Sequence, residues 1–328
     1  MNGDVIISSR VRLARNLAEY PFPNRTSPAQ KNEICDKIRD IFRENKSFGI
    51  AHYSKMSETE RISLVEKHFI SREFAARSEG RELITADTVT VMVNEEDTLR
   101  IQSIVPGFDI DRAFKNADLT DTLIDENVKY AFDEQLGYLT ACPTNLGCAM
   151  RASVMLHLPA LVQTGQLNSL ANSMSGLGFT IRGMYGEGSK AKGSIYQISN
   201  MHSEGRSETE IIENLKKIIV RIVDSELKAR KTICEKSPIQ AEDKILRSAA
   251  IAKSAKLMSE EEYFNILSDI AIGLTCGIIK DTTPSALYST LNTLLTATIM
   301  AENRDVTDGL TRRMHRAEHM KKIFDGVM

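Results

Sequence analysis

The chain has 328 residues, 42% of them hydrophobic and 26% charged, which gives room for two domains and matches an ordinary soluble globular composition. Its 42 basic and 44 acidic residues leave a net charge of -2, excluding a global field that would draw in nucleic acid or anionic lipid, so any basic site is local. Five cysteines without a Cys-x-x-Cys pair argue against a disulfide framework and a structural zinc site; with no signal-like leader and no apolar run near the ~20 residues of a spanning helix, the expectation is a cytoplasmic protein in a reducing compartment.

In chain order, Val5-Ile6-Ile7 opens a strand that runs into Ser8-Ser9-Arg10-Val11-Arg12. Residues two apart on an extended backbone point to one face, and two neighbouring guanidiniums suit a polyphosphate gripped by forked hydrogen bonds. Ser27-Pro28 reads as the cap and first turn of a helix with Ile34, Ile38, Ile41 and Phe42 inward. A second helix starts near Ser57 and leads into Glu66-Lys67-His68. Next, Val89, Val91 and Val93 alternate with Thr88, Thr90 and Met92, the pattern of a strand with one buried face. The turn Asn94-Glu95-Glu96-Asp97 follows, and Leu99, Arg100 and Ile101 resume the alternation. Consecutive carboxylates at a strand end repel one another unless a cation sits among them, whether a substrate guanidinium, a metal ion or both.

Residues 109–125 read as a polar helix and Tyr138-Leu139-Thr140 as a strand. The run Cys142-Pro143-Thr144-Asn145 then predicts a helix from about Leu146, with Arg151 a turn inside it and its end or kink at Leu158-Pro159. Cys142 would sit near that helix's N-terminus, where the dipole and nearby arginines favour a thiolate. Two further strands flank a loop with Gly186, Gly188 and Gly193, in which Glu187 is central and Arg182 precedes; such a loop can fold over a ligand and exclude water. From Ser207 onward the pattern is helical: Ser207 with Glu210 and Ser259 with Glu262 form capping boxes, and Thr283-Pro284 opens a helix with Leu287, Leu291, Leu294 and Leu295 inward. A boundary near Ala229 divides the chain into a mixed domain, 1–229, and a helical domain, 230–328.

Arginines 10, 12, 100, 151 and 182, with the carboxylates Glu95, Glu96 and Glu187, all fall at strands or turns. Phosphoryl transfer needs cations around the phosphates, and a guanidine acceptor needs carboxylates to hold it and take its proton.

Four stretches in this order, Ser8-Ser9-Arg10-Val11-Arg12, Asn94-Glu95-Glu96-Asp97, Cys142-Pro143-Thr144-Asn145-Leu146-Gly147 and Arg182-Gly183-Met184-Tyr185-Gly186-Glu187-Gly188-Ser189, resemble the guanidino-phosphotransferase (phosphagen kinase) family, and within it the bacterial protein-arginine kinases of the McsB type. The resemblance implies an α+β fold, an antiparallel sheet flanked by helices, with a small all-α domain at the C-terminus. It implies ATP and Mg2+ as cofactors. Arg10, Arg12, Arg100, Arg151 and Arg182 would cradle the phosphates and His68 would lie against the adenine. Glu96 and Glu187 would hold and deprotonate the acceptor, Glu95 would stand near the magnesium, and Cys142 would face the guanidinium as a thiolate.

Kinases for free arginine or creatine carry a helical domain ahead of the Ser-x-Arg-x-Arg strand, whereas this chain starts that strand at once and has a helical domain behind it. The acceptor expected is therefore an arginine side chain on a protein, with free arginine or another small guanidine as the alternative reading. From a different class, the chain would be an adaptor with a vestigial kinase site. Partners implied by the resemblance are a zinc-binding activator protein, a heat-shock repressor as substrate and a Clp unfoldase. The apolar stripes of the helical domain suit self-association, and the balanced charge and lack of a spanning run give no direct contact with nucleic acid or membrane. Thr98 stands where the family usually has histidine. Arg312 and Arg313 fall in a segment that resembles the phosphoarginine-binding segment of the McsB type, with Arg313 where an acidic residue is expected.

Overall fold

In the computed structural model, residues 2–51, 53–184, 192–303 and 305–324 are described. The strands are β1 (Ile6–Arg15), β2 (Gly49–Ala51), β3 (Glu82–Ala86), β4 (Val89–Val93), β5 (Leu99–Pro106), β6 (Phe132–Asp133), β7 (Gly137–Tyr138), β8 (Met150–His157), β9 (Phe179–Gly183) and β10 (Ile195–Asn200). Eight of them form one antiparallel sheet in the order β2-β3-β4-β5-β1-β8-β10-β9, and β6 and β7 pair separately. The first strand is thus central, because β5 and β8 both pair with it.

One face of the sheet is apolar. Val11, Leu13, Val91, Ile101, Ala152, Val154 and Ile198 are fully or almost fully buried there, in one cluster with residues of the helices Pro28–Arg43, Ile110–Asp125 and Glu208–Lys236. The first of these starts at a reciprocal cap in which Ser27 accepts from the Gln30 N–H and the Gln30 side chain accepts from the Ser27 N–H, with Pro28 in the first turn. Ser57 with Glu60 and Ser259 with Glu262 repeat the device. Ser207 makes only the forward bond, accepting from the Glu210 N–H. The stretch 109–125 is less polar than it reads, since Ile110, Ala113, Ala117 and Ile124 are buried.

Several sequence expectations need correction. No helix starts near Leu146. Residues Pro143–Asn145 make a single 3-10 turn, Gly147 and Ala149 have positive φ, and Arg151 lies on β8. Every β8 residue but Arg151 is buried, and a short run covered on both faces cannot be told from a helix by periodicity. Pro159 accordingly opens the helix Pro159–Gln163 instead of ending one. β4 is buried on both faces because Tyr53, Val65, Ile70 and Phe74 form a second small core against Leu83 and Met92. The helix expected after Pro284 is broken into Pro284–Ser289, the 3-10 turn Thr290–Asn292 and Thr296–Glu302. Against the expectation of unpaired cysteines, Cys234 and Cys276 are joined as a disulfide between two C-terminal helices.

The C-terminal helices have a core of their own, with Tyr263, Leu267, Ile270, Leu287, Leu294 and Met320 buried, and Met155 and Ile195 of the sheet and Met184 just after β9 join it. The helix Glu208–Lys236 runs unbroken through Ala229. One turn of it ties the parts together. Glu226 accepts from the Ala160 and Leu161 N–H groups at 3.1 and 2.9 Å and pairs with Arg230 at 2.8 Å. Arg230 in turn donates to the carbonyls of Asp4, His157 and Ala271. No helix among the described residues is long and apolar enough to cross a membrane.

Candidate active site

The second face of the sheet is cationic, and strand register makes it so. Arg12 lies opposite Gln102 of β5 and Arg151 of β8, Arg10 opposite Ser153, Ala14 opposite Arg100, and Gln197 of β10 opposite Arg182 of β9. Partners directly opposite in a sheet share a face, so the five arginines lie on one surface, carried by β1, β5, β8 and β9, with Gln197 of β10 between Arg151 and Arg182. All five are half-buried. Hydroxyls on the same face brace two of them: Arg10 Nε donates to Ser153 Oγ at 3.3 Å, and Arg151 donates from Nε and Nη2 to Ser199 Oγ at 3.2 and 3.0 Å. Arg12 donates no hydrogen bond to any described residue.

Like charges so close depress one another's basicity. Burial, followed by repulsion from Arg151 and Arg100, pulls the Arg10 guanidinium down to about 9. Arg12 is held well below its ordinary value by burial and then by Arg10, Arg100 and Arg151. The fold maintains this strain with few counter-charges, which suits a polyanion.

The acidic turn closes one end of the face, and its three carboxylates do different things. Glu95 is buried, pairs with Arg100 Nη1 at 2.7 Å and accepts from the Ser71 hydroxyl. Asp97 is buried and structural: Oδ1 accepts from Asn16 Nδ2 and from the Ala141 N–H, both at 2.7 Å. Glu96 points outward with half of its side chain exposed, 3.5 Å from Arg100 Nη2. Partial burial first, and then Asp97 and Glu95, raise the Glu96 carboxyl above the usual range against the opposing pull of Arg100. Asn94 takes the left-handed conformation at φ 62° and donates to the carbonyls of Lys31 and Gly80, which fixes the turn to the first helix.

Cys142 is brought beside this turn, since Asp97 holds its neighbour Ala141. Its sulfur is 3.1 Å from Thr144 Oγ1. It precedes a single 3-10 turn, so the helix-dipole argument for its thiolate does not hold. Thr98, through its N–H and hydroxyl, donates to Asn16 Oδ1 at 2.8 and 3.0 Å.

At the other end the arginine face descends into a cleft of about 960 Å3 whose lining includes Arg10, His68, Phe69, Ser153 and Gln197. Burial, then Arg10, lowers His68 to about 3, so its ring is neutral at physiological pH. Along β1 the order is therefore cleft, arginines, acidic turn, over roughly 20 Å of strand.

Glu187 lies outside the described residues. Arg312 and Arg313 are on the helix Gly309–Lys322 of the C-terminal region, not on the arginine face. Arg313 is exposed, and Arg312 contacts Met300 Sδ at 3.2 Å. The buried member of that segment is Arg316, which donates to the carbonyls of Leu294 and Met258 at 2.8 and 3.0 Å. Sequence reasoning missed Asn16, Ser71, Ser153 and Ser199. The two serines on β8 and β10 were discoverable, because they keep the period-two alternation with Arg151 and Gln197.

Residues 30–229 match the family described as "ATP:guanido phosphotransferase, C-terminal catalytic domain". The chain belongs to the ATP:guanido phosphotransferase family. Residues 238–327 of this guanido phosphotransferase match the "Protein-arginine kinase McsB C-terminal domain". Relatives named protein-arginine kinase include one from Clostridium kluyveri, 39% identical over 98% of this chain and 95% of its own. Another, from Bacillus subtilis, is 42% identical over 84% of this chain and 78% of its own. Among solved structures, the duplicated taurocyamine kinase from Schistosoma mansoni with bound transition-state-analogue components superposes with a TM-score of 0.63 at 27% identity, covering 68% of this chain and 33% of that one. Lombricine kinase shares the fold, with a TM-score of 0.60 at 23% identity over 69% of this chain and 67% of its own. The sheet flanked by helices is therefore the guanidino kinase fold, and the chain is a guanidino phosphotransferase.

Proposed function

We infer that this guanidino phosphotransferase moves the γ-phosphoryl group of ATP to the guanidinium of arginine side chains in proteins. The observation that carries the reading is the arginine face ending at an acidic turn, with Glu96 turned outward next to Arg100. The relatives named protein-arginine kinase and the match of residues 238–327 support the choice of a protein acceptor.

In this reading Arg10, Arg12, Arg100, Arg151 and Arg182 bind the phosphates and screen the charge that develops on the transferred group. His68, neutral, packs on the base. Glu96, with Glu187, orients the acceptor guanidinium and takes its proton. The guanidino nitrogen forms the new N–P bond as the bond from the γ-phosphorus to the bridging oxygen breaks, and ADP carries away the electron pair. Cys142 stands beside the acceptor and positions it.

A magnesium ion fits the residues present in one way. Both Glu95 oxygens are engaged by protein groups, and no group of three His, Cys, Asp or Glu among the described residues is arranged to hold a metal. Glu95, paired with Arg100, is the carboxylate that would support the ion together with the nucleotide phosphates. When bound it neutralises phosphate charge.

The reading divides the protein into a catalytic domain, 1–229, and a helical domain, 230–328. The same reading places it in the cytoplasm and brings a zinc-binding activator, a heat-shock repressor and a Clp unfoldase as partners. Arg312 and Arg313 would present phosphoarginine-binding cations on the exposed side of the last helix. The test is ADP release from Mg-ATP with an unstructured arginine-rich protein or with free arginine as acceptor. Release with the protein and little with free arginine supports the reading; release with free arginine alone would move the chain to the small-molecule branch.

A further inference from the structure

The cleft that begins at Arg10 has two walls from different parts of the chain. One is the arginine face of the sheet with the loop after the helix Glu58–Glu66, including His68 and Phe69. The other is the segment Thr283–Thr293 of the C-terminal helical region, where Ser285, Tyr288 and Asn292 face the cleft. The inference rests on the kinase reading above, which puts the phosphates at Arg10 and so leaves the nucleoside in this cleft.

The helical wall is fixed in place. Tyr288 donates from its hydroxyl to the Asp4 carbonyl at 2.8 Å and meets His157 Nδ1 at 3.1 Å, while Leu287 and Leu291 are buried behind it. Glu66 caps the next helix, accepting from the Ala297 and Thr298 N–H groups at 3.0 and 2.7 Å. Glu66 is two residues from His68, so the segment carrying one wall is bonded to the helix that follows the other. Lys67 and Glu302 form an ion pair across the same junction.

A cleft of this size is in the range of small-molecule sites, which are fixed by a few polar groups among apolar surroundings. On the helical wall those groups are Ser285 and Asn292. Both are exposed, and neither side chain donates to or accepts from any described residue. An amide presents a donor and an acceptor together, the pairing that the polar edge of a purine or a ribose hydroxyl pair requires.

We propose that the nucleoside of ATP is held between the two walls, with Asn292 of the C-terminal region as a nucleoside-binding residue opposite His68. The helical region is then part of the nucleotide site and sets base specificity together with the sheet.

The test is calorimetric binding of Mg-ADP and of inorganic tripolyphosphate to the full chain and to Asn292→Ala, Asn292→Trp and Ser285→Trp. Tripolyphosphate reports the arginine cradle alone. The expected result is ADP weakened about fivefold by Asn292→Ala and more than tenfold by either tryptophan, roughly 1 and 1.4 kcal/mol, with tripolyphosphate affinity unchanged. In turnover, KM for ATP rises and kcat holds. ADP binding equal to wild type in all three variants overturns the proposal, as does an equal loss of ADP and tripolyphosphate. If the unaltered chain binds neither ligand, it is the kinase reading that fails.

Discussion

The Asp97 carboxylate accepts from the Ala141 N–H at 2.7 Å, joining the acidic turn to the Cys142 segment across 44 residues of chain. Asn16 bonds the same carboxylate oxygen and, through its own oxygen, the Thr98 N–H. The third carboxylate of the turn therefore builds the site without reaching a ligand. Glu95, Glu96 and Cys142 inherit their relative positions from it.

Replacing Asp97 with Ala should lower kcat/KM for the arginine acceptor by about 100-fold, the cost of a displacement of order 1 Å at a reacting centre, while leaving Mg-ADP affinity near wild type. Asp97→Asn keeps an acceptor oxygen and should recover part of the loss. Burial holds the Asp97 carboxyl above the usual range, so the folded state binds its proton more tightly than the unfolded chain. Its contribution to stability is greatest below the unfolded carboxylate pKa and is lost as pH rises through the interval up to the folded value. Denaturation from pH 3 to 7 should show that slope reduced in Asp97→Asn.

The arginine face predicts a trade between stability and binding. Arg12 is depressed by burial and by three neighbouring arginines, so Arg12→Gln relieves repulsion in the empty protein. Its unfolding free energy should rise by about 0.5–2 kcal/mol, while ATP affinity falls at least tenfold for the lost forked contact. A variant that loses stability and keeps ATP affinity would contradict the assignment.

Arg230 gives the opposite case, a cation whose role is to hold the fold. Arg230→Met leaves Glu226 charged and buried and removes donors from three carbonyls. Breaking one partner of a buried pair costs about 3–5 kcal/mol. Melting should show that loss, with the catalytic constants of the remaining folded protein little altered at low temperature.

Much of this architecture was legible in the chain. Serine caps and apolar stripes marked the helices, and the spacing of Arg10 and Arg12 put both on one face before any strand partner was known. What the sequence concealed was non-local. Arg151 was read onto a helix because β8 is covered on both sides, and only its pairing with β1 and β10 shows it to be a strand. Residue type and spacing alone do not separate the three acidic residues; Asn16, Ser71 and Arg100, distant or across the turn, show what Asp97 and Glu95 each hold. Cys234 and Cys276 are 42 positions apart with nothing local to pair them.

Glu96 makes a prediction about pH. In the proposed mechanism it is the base and must be ionised, and burial with its acidic neighbours raises its carboxyl. The acid limb of kcat/KM, which reports the free enzyme, should therefore lie above the usual carboxylate range, with activity falling as pH drops through it. Glu96→Gln should remove at least 100-fold of the rate and flatten that limb in the residual activity.

The most direct measurement is mass spectrometry under non-acidic conditions of an unstructured arginine-rich protein incubated with Mg-ATP and the full chain, with Glu96→Gln and Glu187→Ala in parallel. The account predicts phosphoarginine, lost on acid treatment, in the wild-type reaction and its formation slowed at least 100-fold with both variants. Phosphate on other side chains only, or phosphoarginine formed equally by the two variants, would contradict it.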